Sequence, residues 1–310
     1  MGQRRAVAIG ECMVELARGT DGRFGQSFGG DTFNTAIYLA RCGVATGYAT
    51  ALGDDPYSDG IAQLAEREGL ATDLILRRPG RMPGLYLIET TAGGERSFFY
   101  WRDRAPAREV LDGEDAAPIL AAMAAAPLVY LSGITLSLYS PAALDRLADA
   151  LERTRRAGGL VAMDGNYRPR GWGGDAARAR QVMQRFWRLA TIALPTFDDE
   201  AALWGDGSAA ETIARLRELG AGEVAAKLGP DGALVAAGTA PPVHVAVPAR
   251  VAAVDTTAAG DSFNAAYLAA RLAGQAPHDA ALRGHRLAGI VVSHRGAIVP
   301  PEATREATQS

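Results

Sequence analysis

The chain has 310 residues, 48% of them hydrophobic and 22% charged, a composition that suits one large globular domain or a domain with a small appendage. Its net charge of −3 gives no electrostatic ground for binding nucleic acid or an anionic membrane. Its two cysteines, Cys12 and Cys42, are too few for a disulfide framework and suit a reducing cytosol, so a cytoplasmic protein is expected. From the N-terminus, the run at 5–9 reads as a first strand, because Glu11 and Glu15 follow it too closely for a signal peptide. A helix is expected over 31–41, with Asp31 as N-cap and Gly43 as its stop. A strand at 44–51 and a helix at 57–68 come next. Buried strands are expected at 128–131, 160–163, 192–194, 224–227 and 233–236, and helices at 141–156, 176–188 and 211–219 separate many of them. This alternation predicts an α/β sandwich with a largely parallel central sheet, which binds ligands beyond the carboxyl ends of its strands. No apolar stretch reaches the length of a bilayer. The polar tail, 302–310, is expected to fray.

The segment 84–102 breaks the alternation. Two flanks rich in β-formers, 84–90 and 96–102, surround Ala92-Gly93-Gly94, a turn signal, so a hairpin is expected. Such a hairpin serves either as a lid or as an antiparallel extension of the sheet. Tyr100 and Arg102 fall on one face of its second strand.

The string Val254-Asp255-Thr256-Thr257-Ala258-Ala259-Gly260-Asp261-Ser262-Phe263-Asn264 carries the strongest chemical signal. It reads as a short strand, a turn of small residues and a helix start. Ala258, Ala259 and Gly260 leave backbone N–H groups unobstructed, and unpaired amides at a helix start attract anions. Asp261 places a carboxylate beside that cradle, an arrangement suited to phosphoryl transfer to a hydroxyl. The same residues also fit a plain helix start capped by Asp255 or Asp261.

The string closely resembles the D-T-x-[GA]-A-G-D signature of the ribokinase-like, PfkB-type carbohydrate kinases. That resemblance implies one kinase domain over 1–310, a three-layer sandwich with a mostly parallel central sheet. It also implies a small β-sheet lid formed partly by about 84–102, which often doubles as the surface of a homo-oligomer. Asp261 is then the general base, and Ala258, Ala259 and Gly260 line the anion hole. Ala258 stands where the family often has glycine, and a methyl group fits there if φ stays negative.

The resemblance extends to Gly29-Gly30-Asp31-Thr32-Phe33-Asn34, similar to the family's Gly-Gly-x-x-x-Asn element, and implies that Gly30 and Asn34 contact the sugar. Glu15 stands where members often place a carboxylate for sugar hydroxyls. Gly10–Leu16, Gly84-Leu85-Tyr86-Leu87, Tyr100-Trp101-Arg102 and Asp164-Gly165-Asn166-Tyr167-Arg168 together look like the branch that acts on 2-keto-3-deoxygluconate. Tyr100, Arg102 and Arg168 would then contact the substrate's acid end, with Tyr86 nearby, because paired guanidinium groups suit a carboxylate.

No Walker A pattern is present, so ATP must be held otherwise. The resemblance implies ATP and Mg²⁺ as cofactors and leaves a monovalent cation open. It places Asn166, Lys227, Gly229, Gly232 and His285 on the nucleotide side, with Lys227 able to reach a phosphate and His285 lining the base pocket. Glu200, in an element similar to Asn-x-x-Glu, would support Mg²⁺, although Phe197 stands where the asparagine would be. A kinase for a neutral sugar or nucleoside, and a non-catalytic sugar-acid sensor on the same fold, remain the alternatives. The absence of Gly-x-Gly-x-x-Gly after the first strand speaks against a nicotinamide enzyme, and that of Gly-x-Ser-x-Gly against a hydrolase elbow.

Overall fold

The structure, a computed structural model, describes residues 5–19, 21–90 and 96–309. Among them thirteen strands form two sheets. In chain order they are β1 (Ala6–Ile9), β2 (Met13–Arg18), β3 (Phe24–Gly29), β4 (Thr46–Leu52), β5 (Ile75–Arg77), β6 (Leu85–Thr90), β7 (Arg96–Trp101), β8 (Leu128–Ser132), β9 (Leu160–Asp164), β10 (Ile192–Ala193), β11 (Glu223–Lys227), β12 (Ala233–Ala237) and β13 (Val243–Val245).

The large sheet has nine strands in the order β13-β12-β11-β10-β9-β8-β1-β4-β5. Pairing is parallel from β11 through β5, and β12 runs antiparallel to both its neighbours. Its central strands read as unbroken apolar runs because both faces are covered. On β1, Val7 and Ile9 face one core while Ala6 and Ala8 face the other. The first core takes up the helices Ala117–Ala125, Pro141–Arg156, Ala176–Trp187 and Ala209–Glu218. The second takes up Asp31–Arg41, Pro56–Arg67, Ala259–Leu272 and Pro277–Val292. The α/β sandwich expected from the alternation is therefore present, in the three layers that the resemblance implies.

Local chemistry places the helix ends. Ser140 caps Pro141–Arg156 by accepting from Ala143 N–H at 3.1 Å, proline occupies the first turn, and Arg153, Arg155 and Arg156 complement the dipole at the last. The tail differs from expectation. Pro301–Gln309 is a helix with Thr304 and Thr308 buried, and Thr308 Oγ1 donates to the Thr304 carbonyl at 3.0 Å. Its buried hydroxyls are satisfied on the helix backbone itself, so a polar sequence can still dock. Arg41 donates to the Val299 carbonyl at 2.8 Å just before it.

The small sheet has the order β3-β2-β6-β7. The β6–β7 hairpin matches expectation in both strands, and its turn, Ala92-Gly93-Gly94, lies outside the described residues. The β2–β3 hairpin was not anticipated, because Phe24–Gly29 is largely exposed and carries no alternating apolar signal. Since β2 follows β1 after three residues, the small sheet emerges from the carboxyl end of the large one. Among the described residues, no helix is long and apolar enough to cross a membrane.

Candidate active site

A cleft of about 570 Å³ lies between the two sheets, at the carboxyl ends of the parallel strands. Its walls include Gly30, Asp31, Asn34, Tyr86, Tyr100, Arg102, Asp164, Asn166, Arg168 and the whole of Thr256–Asp261.

The turn at 256–261 enters from irregular chain rather than from a strand, with the N–H groups of Val254 and Asp255 both bound to the Val292 carbonyl. Asp255 fixes this approach. Its carboxylate accepts from Thr257 N–H at 2.8 Å and from Gly296 N–H at 2.9 Å. The helix Ala259–Leu272 then starts with Ala258 at its N-cap, and no side chain caps it. Among the described residues, the N–H groups of Ala258, Gly260 and Asp261 make no hydrogen bond. Three unspent donors and a helix dipole therefore face the cleft. Ala258 departs from expectation, since its φ is +60°, in the left-handed region that an alanine adopts only under strain.

Asp261 follows directly and is 9% exposed. Its Oδ2 accepts from Asn34 Nδ2 at 2.8 Å. Burial pushes its carboxyl well above the usual range, and Asp31 and Asp164 push the same way, while Asn34 and Lys227 oppose them. Asn34 thus spends its amide on the carboxylate, not on open cleft. Gly30, the N-cap of that helix, is extended, and a Cβ there would lie 2.0 Å from the Glu11 carbonyl oxygen. Asp31 is accordingly the first helical residue and not the cap. Its Oδ2 accepts from Asn166 Nδ2 at 2.9 Å. Asn166 is itself left-handed, at φ +33°, which turns its amide back toward the helix start.

Lys227 does not extend a free ammonium to a phosphate. Its Nζ donates to Asp164 Oδ2 at 2.7 Å, to the Leu194 carbonyl at 2.6 Å and to Asn264 Oδ1 at 3.0 Å, which uses all three N–H bonds. This buried network underlies the anion turn: a Cβ on Gly260 would sit 3.9 Å from Nζ.

Both arginines expected at the acid end line the cleft, and both already face carboxylates. Arg168 donates twice from Nη1 to Asp199, at 2.9 and 3.0 Å. Arg102 contacts buried Glu11 as an ion pair without a well-aligned hydrogen bond. Burial raises the Glu11 carboxyl and Arg102 draws it down. Tyr86 lines the cleft and donates its hydroxyl to Glu15, which also accepts from Ser27 Oγ at 2.7 Å. Glu15 is buried behind Tyr86 and does not face the cleft. Tyr100 stacks on Tyr86 with ring centres 5.9 Å apart.

Besides Glu15 and Lys227, four further expected residues stand away from the cleft walls. Gly229 and Gly232 shape the β11–β12 turn, with φ of +58° and +100°. His285 is buried against Phe263, and its Nε2 lies 3.0 Å from the Val245 carbonyl. Glu200 is fully buried and ion-paired to Arg215 at 2.8 Å, so it offers no open coordination site in the cleft.

A model of the pfkB family carbohydrate kinases matches residues 3–304. The chain belongs to this family. The family's 2-dehydro-3-deoxygluconokinase of Escherichia coli strain K12 is 43% identical over 309 residues, covering 97% of this chain and 98% of that protein. The protein of the same name from Dickeya dadantii is also 43% identical, over 98% of this chain and 99% of that protein. A fructokinase of Klebsiella pneumoniae is 31% identical over 87% of this chain and 84% of its own length. Among solved structures, the 2-dehydro-3-deoxygluconokinase of Thermotoga maritima superposes with a TM-score of 0.84, covers 99% of both chains and is 24% identical. It confirms the ribokinase-like α/β fold.

In this pfkB-type cleft, reading the sequence missed Glu11 and Asp164, and in the buried network beneath it Asn264. For Asp31 a cap was favoured over a contact to sugar hydroxyls. A polar side chain inside a run otherwise bound for the core is the signal that marks each of them. Glu11 follows a buried strand, Asp164 ends one, and Asn264 sits among the apolar residues of Ala259–Leu272.

Proposed function

We propose that this pfkB-family chain transfers the γ-phosphoryl group of ATP to the 6-hydroxyl of 2-dehydro-3-deoxy-D-gluconate. The observation that carries the reading is the carboxylate of Asp261 next to three unspent backbone donors at the helix start. Relatives 43% identical over nearly the whole chain bear the name of that activity.

In this reading the substrate's terminal hydroxyl meets Asp261, which takes its proton as the new O–P bond forms and the bond to the β-phosphate oxygen breaks. ADP and the 6-phosphate leave. The N–H groups of Ala258, Gly260 and Asp261 hold the charge on the moving phosphoryl oxygens. A raised carboxyl suits a base that must hold a proton transiently. Asn34 orients Asp261, and the Lys227–Asp164–Asn264 network holds the turn from below.

A solved structure of a putative ribokinase II from E. coli has the same fold at a TM-score of 0.81 and is described in complex with ATP and Mg²⁺. Among the described residues here, no three acids, histidines or cysteines converge to form a metal cage. That suits Mg²⁺ arriving with the nucleotide, bound chiefly by phosphates and water, where it neutralises phosphate charge. Glu200 would act through water, since its Oε1 is buried without a hydrogen-bond partner.

The small sheet, to which β6 and β7 belong, serves as a lid that excludes water from the transfer. Its outer face bears Phe99 and Trp101, 46% and 61% exposed, and a homo-oligomer through that face follows from the same reading. A cytoplasmic location is part of it as well.

The pairing of Arg102 and Arg168 with acids favours a second reading, a neutral sugar as substrate. An ADP-release assay with keto-deoxy sugar acids beside fructose, ribose and adenosine separates the two. Turnover of the acids supports the first reading, and turnover of neutral substrates alone overturns it.

A further inference from the structure

Two consecutive residues of the helix Asp31–Arg41 hold Asp261, one by its side chain and one by its main chain. Asn34 binds the carboxylate, and Thr35 reaches the carbonyl. Oγ1 of Thr35 lies 3.0 Å from the Asp31 carbonyl of its own helix and 3.3 Å from the Asp261 carbonyl of the helix Ala259–Leu272. The same oxygen lies 3.3 Å from Oη of Tyr130, on the interior strand β8. Tyr130 Oη accepts from Asn264 Nδ2 at 3.0 Å, and that amide also donates to Asp164 Oδ2 at 2.6 Å. Thr35, Tyr130 and Asn264 are all buried, and neither Thr35 nor Tyr130 lines the cleft.

Filling space does not require these hydroxyls. The core around Tyr130 contains Phe33, Ile37, Leu128 and Ala266. A hydroxyl brought into such surroundings costs free energy unless it is hydrogen-bonded, whereas valine or phenylalanine would fill the same volume without that cost. Thr35 is β-branched and therefore stiff, and a helical threonine can aim Oγ1 at the carbonyl four residues back. Here that geometry leaves Oγ1 between the first turns of two helices, with Tyr130 anchoring it to the sheet. One hydroxyl hydrogen faces three acceptors, so the cluster contributes placement more than bond strength.

In the proposed reading the two helices carry different halves of the reaction. Asp31–Arg41 begins at the sugar side, with Gly30, Asp31 and Asn34 in the cleft wall. Ala259–Leu272 begins at the backbone donors that hold the phosphoryl group. In-line transfer needs the acceptor hydroxyl and the phosphorus aligned, so the spacing of these helix starts enters the rate directly.

We infer that Thr35, backed by Tyr130, is a positioning residue whose buried hydroxyl pins the sugar-side helix to the phosphate-side helix and so aligns the acceptor hydroxyl, Asp261 and the phosphoryl group. The inference rests on the proposed reading of Asp261 as the base and adds two residues that lie outside the cleft wall.

The test compares wild type, Thr35→Val, Thr35→Ser and Tyr130→Phe by ADP release with 2-keto-3-deoxygluconate, with ATP and sugar varied separately. Thr35→Val keeps the shape and removes the hydroxyl. Its kcat is expected to fall about 10- to 100-fold, as for a misaligned reacting pair. Both KM values should stay within about twofold of wild type, since no cleft-lining group is removed. Thr35→Ser keeps the oxygen and should recover most of the kcat. Tyr130→Phe should lower kcat by a smaller factor, again at unchanged KM. Both carbonyls beside Thr35 lie in first helical turns, where C=O groups accept intrahelical bonds, so Thr35→Val should remain folded in urea denaturation at the assay temperature. An unchanged kcat in Thr35→Val overturns the inference and leaves the proposed function intact. So does a loss that Thr35→Ser fails to recover, or a rise in KM that accounts for the loss, either of which would mark Thr35 as a packing residue. Should Thr35→Val fail to fold, Tyr130→Phe decides by the same split between kcat and KM, and an unchanged kcat there overturns the inference. Absence of turnover with the acid in wild type removes the proposed function, and this inference with it.

Discussion

The side-chain amide of Asn34 donates to Oδ2 of Asp261 at 2.8 Å, joining the first helix of the chain to the start of the helix Ala259–Leu272. The contact fixes the direction of the carboxylate and favours its ionised form against the pull of burial. It explains how Asp261 can be buried beside two other acids and still be aimed at the cleft.

Replacing the base should remove chemistry and spare binding. Asp261→Asn is expected to lower kcat by roughly 10²–10⁴-fold, with the KM for sugar and ATP little changed. Steady-state kinetics check this, and a kcat near wild type would exclude Asp261 as the base.

The pH–rate profile should report the same carboxyl. Asp261 acts as base only when ionised, and its carboxyl is raised, so kcat should fall on the acid side at a pH above the ordinary aspartate range. Asn34 draws that value down, so Asn34→Ala should move the acid limb to higher pH. An acid limb unmoved in Asn34→Ala would show that the amide does not tune the base.

Ala258 offers a stability test. Glycine at φ +60° removes about 1–2 kcal/mol of left-handed strain, against about 0.4–1 kcal/mol of added chain entropy in the unfolded state. Ala258→Gly should therefore be neutral to stabilising in urea denaturation. Ala258→Val should destabilise, because a β-branched residue tolerates that conformation poorly.

Lys227 should behave as a structural ion-pair partner. Lys227→Met leaves Asp164 buried without its cation, at a cost of about 3–5 kcal/mol. The double variant Lys227→Met with Asp164→Asn should recover a large part of that loss in a double-mutant cycle. A rise in the KM for ATP without loss of stability would instead return Lys227 to the nucleotide.

Glu200 predicts a pH-dependent stability. Burial pushes its carboxyl up to about 7 despite Arg215, so the folded state holds the proton more tightly than the unfolded chain does. Its contribution is fully present below the ordinary glutamate value of 4.5 and is lost as pH rises toward about 7. Glu200→Gln should flatten that part of the stability curve, measured by denaturation from pH 5 to 8.

The periodicity and composition of the chain were sufficient for the layered α/β class, for Pro141–Arg156 and Asp31–Arg41 to the residue, and for both strands of the β6–β7 hairpin. Those features depend on near neighbours: a cap, a proline, a run of apolar residues covered on both faces. The turn of small residues and Asp261 were legible for the same reason, since donors and carboxylate lie within four positions of each other. What tertiary structure alone decided is how charges separated along the chain answer one another. Arg102 meets Glu11, Arg168 meets Asp199, Lys227 meets Asp164 and Glu200 meets Arg215. A charged side chain carries no record in its own neighbourhood of the partner that will neutralise it. That pairing is set when distant strands are brought into register, because a buried charge is tolerated only beside its opposite.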